Sequence, residues 1–91
     1  MTFEDIWNDA ELETVVAVSN GKSPPSTNVD GIPYKAWKSH NFTGTLEEKV
    51  ERAGWQYLRF EVLSSETPDQ VAYLAYEIPK GGDHTFEVQD V

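Results

Sequence analysis

The chain has 91 residues, with sixteen acids against seven bases for a net charge of −9, and it contains no cysteine. This length makes one domain with an adequate core; the missing thiols exclude a disulfide staple and a thiolate zinc site, and the acidic balance opposes nucleic acid and anionic lipid while favouring a basic protein partner. No stretch approaches the ~20 apolar residues of a membrane span, and the first residues enter an acidic, helix-like pattern rather than a basic segment with an apolar core, so a cytoplasmic protein is expected.

Thr2 stands as an N-cap with Asp5 three residues on, the spacing of a capping box. Phe3, Ile6, Trp7 and Ala10 then share one helical face, and Glu4, Asp5, Asn8, Asp9 and Glu11 share the other. Residues 1–13 hold five acids and no base, so this face is either solvated surface or an acidic edge offered to basic side chains. Thr14 to Val18 is a β-branched run without alternation, which predicts a strand buried on both faces or at the centre of a sheet. Ser19 to Lys22 closes it as a turn.

A long loop follows over about residues 19–33, with a polyproline-like start at Pro24-Pro25. Beyond it, Tyr34, Trp37 and His40 fall on one helical face and Lys35 and Lys38 on another; a short helical turn and an irregular strand both satisfy this pattern. From Thr45 the spacing predicts a second capped helix. Thr45 is its N-cap, Glu48 completes the box, Leu46, Val50 and Ala53 form a narrow apolar stripe, and Gly54 supplies the left-handed stop. Glu47, Glu48 and Glu51 then lie together on its polar side.

At Trp55 the period changes to two. Leu58, Phe60 and Val62 point one way, and Ala72, Leu74, Tyr76 and Ile78 repeat the alternation after the polar loop Ser64 to Gln70, which predicts an antiparallel hairpin. The second faces carry Trp55, Tyr57, Val71 and Tyr73, more apolar surface than water usually meets, so another part of the chain is expected to cover them. Gly81-Gly82 reads as a further hairpin turn, with Thr85 to Val91 returning as a strand that points Phe86 and Val88 inward. The fold class is therefore α+β: an antiparallel sheet of three to four strands with one or two short helices packed on one face, all in a single domain.

Catalytic chemistry finds little support in these residues. His40 and His84 are the only imidazoles, and no serine stands in a nucleophile elbow. His84 with Asp83 and Glu87 does not make a metal site on a strand, because positions 84 and 87 face opposite sides. Lys80-Gly81-Gly82 lacks the strand-loop-helix setting of a phosphate cradle. Lys22, Lys35 and Lys38 alternate with Tyr34 and Trp37 as a base-stacking platform would, but three lysines do not outweigh sixteen acids. A non-enzymatic protein without cofactor or metal is expected, with Tyr34 and Trp37 as protein-contact anchors.

In size, acidity, absence of cysteine and lack of a catalytic constellation the chain is similar to the small phage-borne inhibitors of bacterial defence, the anti-CRISPR and anti-restriction proteins. The resemblance implies an acidic inhibitor that occupies the basic, nucleic-acid-binding surface of a defence complex. Spread over a body ~30 Å across, the charge amounts to about 0.3 per Å, half that of duplex DNA at roughly 0.6 per Å, so any nucleic-acid mimicry depends on local clustering. The expected contact residues are Glu4, Asp5, Asp9, Glu11, Tyr34, Trp37, Glu47, Glu48 and Glu51. A regulatory or small-ligand-binding domain in which the Trp55, Tyr57 and Tyr73 face and the 19–44 loop form a pocket, or a homodimer joined through that aromatic face, is the alternative.

Overall fold

The computed structural model describes residues 1–25, 32–66 and 69–89. Two short helices, α1 (Phe3–Asp9) and α2 (Ile32–Lys38), accompany five strands: β1 (Val15–Ser19), β2 (Phe42–Arg52), β3 (Trp55–Glu66), β4 (Val71–Pro79) and β5 (Thr85–Val88). The strands form one sheet in the order β4-β3-β2-β1-β5, and every neighbouring pair is antiparallel. This is the α+β class expected, with five strands in place of three to four. The middle of the expected 19–33 loop, the middle of the expected Ser64 to Gln70 loop and the end of the expected Thr85 to Val91 strand, residues 26–31, 67–68 and 90–91, lie outside the described residues.

The added strand comes from the segment 45–53, expected as a capped helix; residues 45–52 lie in β2 and Ala53 in the turn after it. Thr45 pairs with Val15 on one side and Glu61 on the other, and Leu46, opposite Phe60, is fully buried. Pairing with β3 along the segment, and with the chain entering β1 at Thr45 and Leu46, satisfies the backbone and buries Leu46 more completely than a nine-residue helix with one narrow stripe could, so tertiary packing overrides the local propensity. The stop signal was also ambiguous. Ala53 and Gly54 both have positive φ, 50° and 81°, the conformation of a two-residue hairpin turn between right-twisted strands, and Gly54 suits that turn as well as a helix end.

The second difference concerns β5. Gly81-Gly82 does not join two neighbouring strands: β4 and β5 are the opposite edges of the sheet, and β5 pairs with β1, Val18 facing Phe86 and Val16 facing Val88. A short link can connect opposite edges because the sheet is curled. Phe60 of β3 and Phe86 of β5 stack with ring centroids 6.4 Å apart although two strands separate them; in a flat sheet three strand spacings would hold them about 14 Å apart. The concave side is the core, built from Val16, Val18, Leu46, Leu58, Phe60, Ile78 and Phe86 together with Phe3 and Ile6 of α1.

The first helix starts as its sequence dictates. Thr2 Oγ1 accepts from the Asp5 amide and the Asp5 carboxylate accepts from the Thr2 amide at 2.9 Å, closing the capping box. Phe3 meets Phe86 edge-on at 6.3 Å, and Trp7 and Ala10 lie against the same core. Met1 extends the pairing, its main chain exchanging hydrogen bonds of 2.9 and 3.0 Å with Phe86 at the outer edge of β5. The convex face, by contrast, is not covered by the chain as expected: Trp55 is 59% exposed and Tyr73 58%.

Gly44 of β2 lies close against β3. A Cβ at this position would meet the Glu61 carbonyl oxygen and Val62 Cγ2, both at 3.0 Å, and the first of these is main chain that cannot rotate away. Gly44→Ala is therefore expected to destabilise the fold by about 1–3 kcal/mol, read as a lower urea midpoint; an unchanged midpoint would show that the strands are not packed this tightly.

Candidate functional site

The acids expected on α1 divide. Asp5, Asp9 and Glu11 line an open cleft of about 570 Å³ whose remaining wall is Met1, Ile6, Ala10, Thr14 and Val88. Glu4 stands apart from it and reaches Lys80 Nζ at 3.4 Å. Helical spacing explains the grouping, since positions 5 and 9 are one turn apart on one side, and the chain leaving α1 toward β1 brings Glu11 alongside. Asp5 is committed to the cap, and the hydrogen bonds from the Thr2 amide and hydroxyl hold its carboxyl below the usual range. Asp9 and Glu11 make no ion pair among the described residues. The cleft therefore combines three carboxylates with the apolar floor of Ile6, Ala10 and Val88, a surface that suits the aliphatic stem and charged head of a lysine or arginine.

Glu47, Glu48 and Glu51 do not form the second acidic face expected of them. In a strand, positions an odd number apart point to opposite sides, so Glu48 and Glu51 diverge, and the register slips between Leu46 and Glu48 at a bulge that takes up Glu47. Glu47 and Glu51 are exposed. Glu48 is drawn into an ion network on the convex face: Arg59 bridges Glu48 and Glu77, the latter at 3.0 Å, and Arg52 holds Glu77 through two contacts of 2.8 and 2.9 Å. The Arg52 guanidinium also lies 4.9 Å from the Tyr57 ring centroid, covering part of that aromatic surface. Two carboxylates and two guanidinium groups cancel, so this part of the surface offers a partner little net charge.

Tyr34 and Trp37 come together on α2 with ring centroids 5.7 Å apart, and Lys38 Nζ sits 5.7 Å from the Tyr34 ring. Trp37 Nε1 donates to the Lys22 carbonyl at 2.8 Å. Asn41 fastens the helix to the end of β1: its amide donates to the Trp37 carbonyl and to Asn20, while its side-chain oxygen accepts from Ser19 Oγ. Both aromatics are half-buried, fixed to the chain that leaves β1.

The expected aromatic pocket of Trp55, Tyr57 and Tyr73 is dispersed along the hairpin. Trp55 pairs with Arg52 at the β2–β3 turn, whereas Tyr73 pairs with Leu63 near the other end of β3. What gathers on the convex face instead is Leu63 and Tyr73 beside Val15, Thr43 and Thr45, around a shallow depression of about 380 Å³. The same period-two pattern that predicted the hairpin placed Leu63 on this side, but its neighbours across β2 became visible only once residues 42–52 were known to be a strand. The His40–His84 contact, Nδ1 to Nε2 at 2.9 Å, was also outside the reach of sequence spacing. Among the described residues no group of three or more histidine and carboxylate side chains could hold a metal ion, and no helix is long and apolar enough to cross a membrane.

Comparison with protein families, curated proteins and solved structures yields no significant match to this chain.

The convex network makes a specific acid sensitivity. Glu77 is held below the usual carboxyl range by the hydrogen bonds from Arg59 first and Arg52 second. A carboxyl depressed by folding stabilises the fold above its ordinary range, and that contribution is lost as pH falls through the range toward the lowered value. Between about pH 5 and pH 3 the urea midpoint of the natural protein should fall more steeply than that of Glu77→Gln, the two converging at the acid end; parallel curves would remove the network from the account.

Proposed function

We propose that the protein acts by protein contact, as an acidic inhibitor whose cleft beside α1 receives basic side chains from the nucleic-acid-binding surface of a partner. The observation that carries this reading is the convergence of Asp5, Asp9 and Glu11 on one open cleft with an apolar floor. The carboxylates supply steering and register, and the floor accepts the methylene stems of incoming lysines or arginines. Glu4, beside Lys80, contributes to the field around this edge. Glu47 and Glu51 add exposed charge elsewhere on the surface, and Glu48 has a structural task in the convex network.

Tyr34 and Trp37 serve as anchors at a second contact region. Trp37 is held in advance by its hydrogen bonds with Lys22 and Asn41, and Tyr34 packs against its ring, which lowers the ordering cost of binding. The resemblance in size and acidity to anti-CRISPR and anti-restriction proteins supports the same class of partner, a basic complex of bacterial defence, and the cytoplasm as the place where the two meet.

The convex depression with Leu63 and Tyr73, 50% and 58% exposed, supports a second reading, a small-ligand or self-association surface. Salt separates the two, because raising ionic strength from 0.15 M to 1 M shortens the screening length from ~8 Å to ~3 Å and weakens exposed charge contacts while leaving apolar ones intact. In capture from a bacterial lysate, the natural protein should retain a basic nucleic-acid-handling complex at low salt and release it at high salt. Asp9→Lys with Glu11→Lys, which spares the Asp5 cap, should weaken that capture by about tenfold or more, a loss of at least ~1.4 kcal/mol. Undiminished capture by the double variant would overturn the acidic-cleft reading, and salt-insensitive binding would shift it to the convex face.

A further inference from the structure

His40 follows the last turn of α2, and His84 ends the link between β4 and β5. Though 44 positions apart, the two rings meet with His40 Nδ1 2.9 Å from His84 Nε2 and centroids 5.1 Å apart. The other nitrogen of His84, Nδ1, is buried and has no hydrogen-bond partner among the described residues. Gly82 lies against it so closely that a Cβ there would come within 2.6 Å of Nδ1.

We propose that the His40–His84 contact is a proton-released clip: it joins the end of α2 to the β4–β5 link while both rings are neutral, and uptake of one proton opens it. Counting protons gives the reason. A neutral pair carries two ring protons. One lies between the touching nitrogens, and the other occupies one of the outer nitrogens, His40 Nε2 or His84 Nδ1. When a third proton arrives and the contact is kept, both outer nitrogens must carry one, so His84 Nδ1 becomes a donor buried without an acceptor. The alternative places protons on both facing nitrogens, and the rings part. Binding a proton and keeping the contact therefore work against each other.

The groups around the pair set its response. Burial first, then the charge of His40, holds His84 below the ordinary imidazole range, and Asp83 opposes this by favouring the charged ring. Lys38 lies two residues before His40 and adds positive charge on the α2 side, with its ammonium over the Tyr34 ring. A depressed histidine makes the unfolded chain bind more protons than the folded one, so stability is full above the ordinary imidazole range and declines as pH falls through it. A shared metal ion fits less well: no third donor stands within reach among the described residues, and a metal-bound histidine normally donates its second ring N–H to a partner, which His84 Nδ1 lacks.

Asn41 still ties α2 to β1 when the clip opens, through Ser19, Asn20 and the Trp37 carbonyl. The release is local and leaves the sheet intact. The test is a pH titration of the full ¹⁵N-labelled chain, following imidazole nitrogens and backbone amides. The amides of residues 38–41 and 82–85 should move together with one midpoint below the ordinary imidazole range. In His84→Gln the shifts of residues 38–41 at that midpoint should vanish. His40→Gln gives the mirror result at residues 82–85 and serves if the first variant does not fold. Separate midpoints for the two segments, or amide shifts of residues 38–41 unchanged by His84→Gln, would overturn the clip. So would zinc chloride at one equivalent and neutral pH shifting both rings together, which would make the pair a metal site.

Discussion

Phe60 and Phe86 belong to strands with two others between them, yet their rings stack 6.4 Å apart. For this to occur the sheet must curl until its concave side closes on itself, in the right-handed twist that strands adopt when left free to do so. The short β4–β5 link can then reach from one edge to the other, and β5 can lie beside β1 with Phe86 opposite Val18. Phe86 also gives α1 its seat through Phe3, so the position of the first helix follows from the closure. The acidic cleft, walled by α1 and Val88, exists only because β5 returns to that side.

The surface divides its charge unequally between two faces. On the convex side Arg52 and Arg59 are consumed by Glu48 and Glu77, an exposed network whose contribution to stability is modest but whose effect on the outward field is large, since it removes four charges from view. Along α1 Glu4 alone makes an ion pair with a basic side chain among the described residues, and the carboxylates of the cleft line an open surface. A net charge that is too dilute for nucleic-acid mimicry when averaged over the molecule thus has a local concentration, and this distribution rather than the total sets the direction in which a basic partner is steered.

Much of the fold was legible where local chemistry and long-range packing agree. The Thr2–Asp5 box, the apolar face of α1, the alternation of Leu58 and Phe60 and the inward Phe86 are all found where spacing put them. The segment from Thr45 to Gly54 was not legible, because Thr45, Glu48 and Gly54 satisfy the local rules of a helix while Leu46 is buried only by neighbours from β1 and β3. The same error hid the site. With β2 read as a helix, Glu47, Glu48 and Glu51 formed a face they do not form, and the partners of Glu48 could not be named. The place of β5 was equally hidden, since Gly81-Gly82 is compatible with a hairpin and nothing in Thr85 to Val88 announces β1 as its neighbour. The acids of residues 4–11 were read as one group, whereas the separation of Glu4 from Asp5, Asp9 and Glu11 depends on where the helix is seated.

Closure of the sheet is the claim on which the cleft and the core both stand, and proton NMR tests it directly. Cross-strand nuclear Overhauser contacts between Val18 and Phe86 backbone protons, with ring contacts between Phe60 and Phe86, are the result expected of the order β4-β3-β2-β1-β5. Contacts between the backbones of β4 and β5 in their place, the signature of a simple hairpin at Gly81-Gly82, would contradict the closure and with it the position of the acidic cleft.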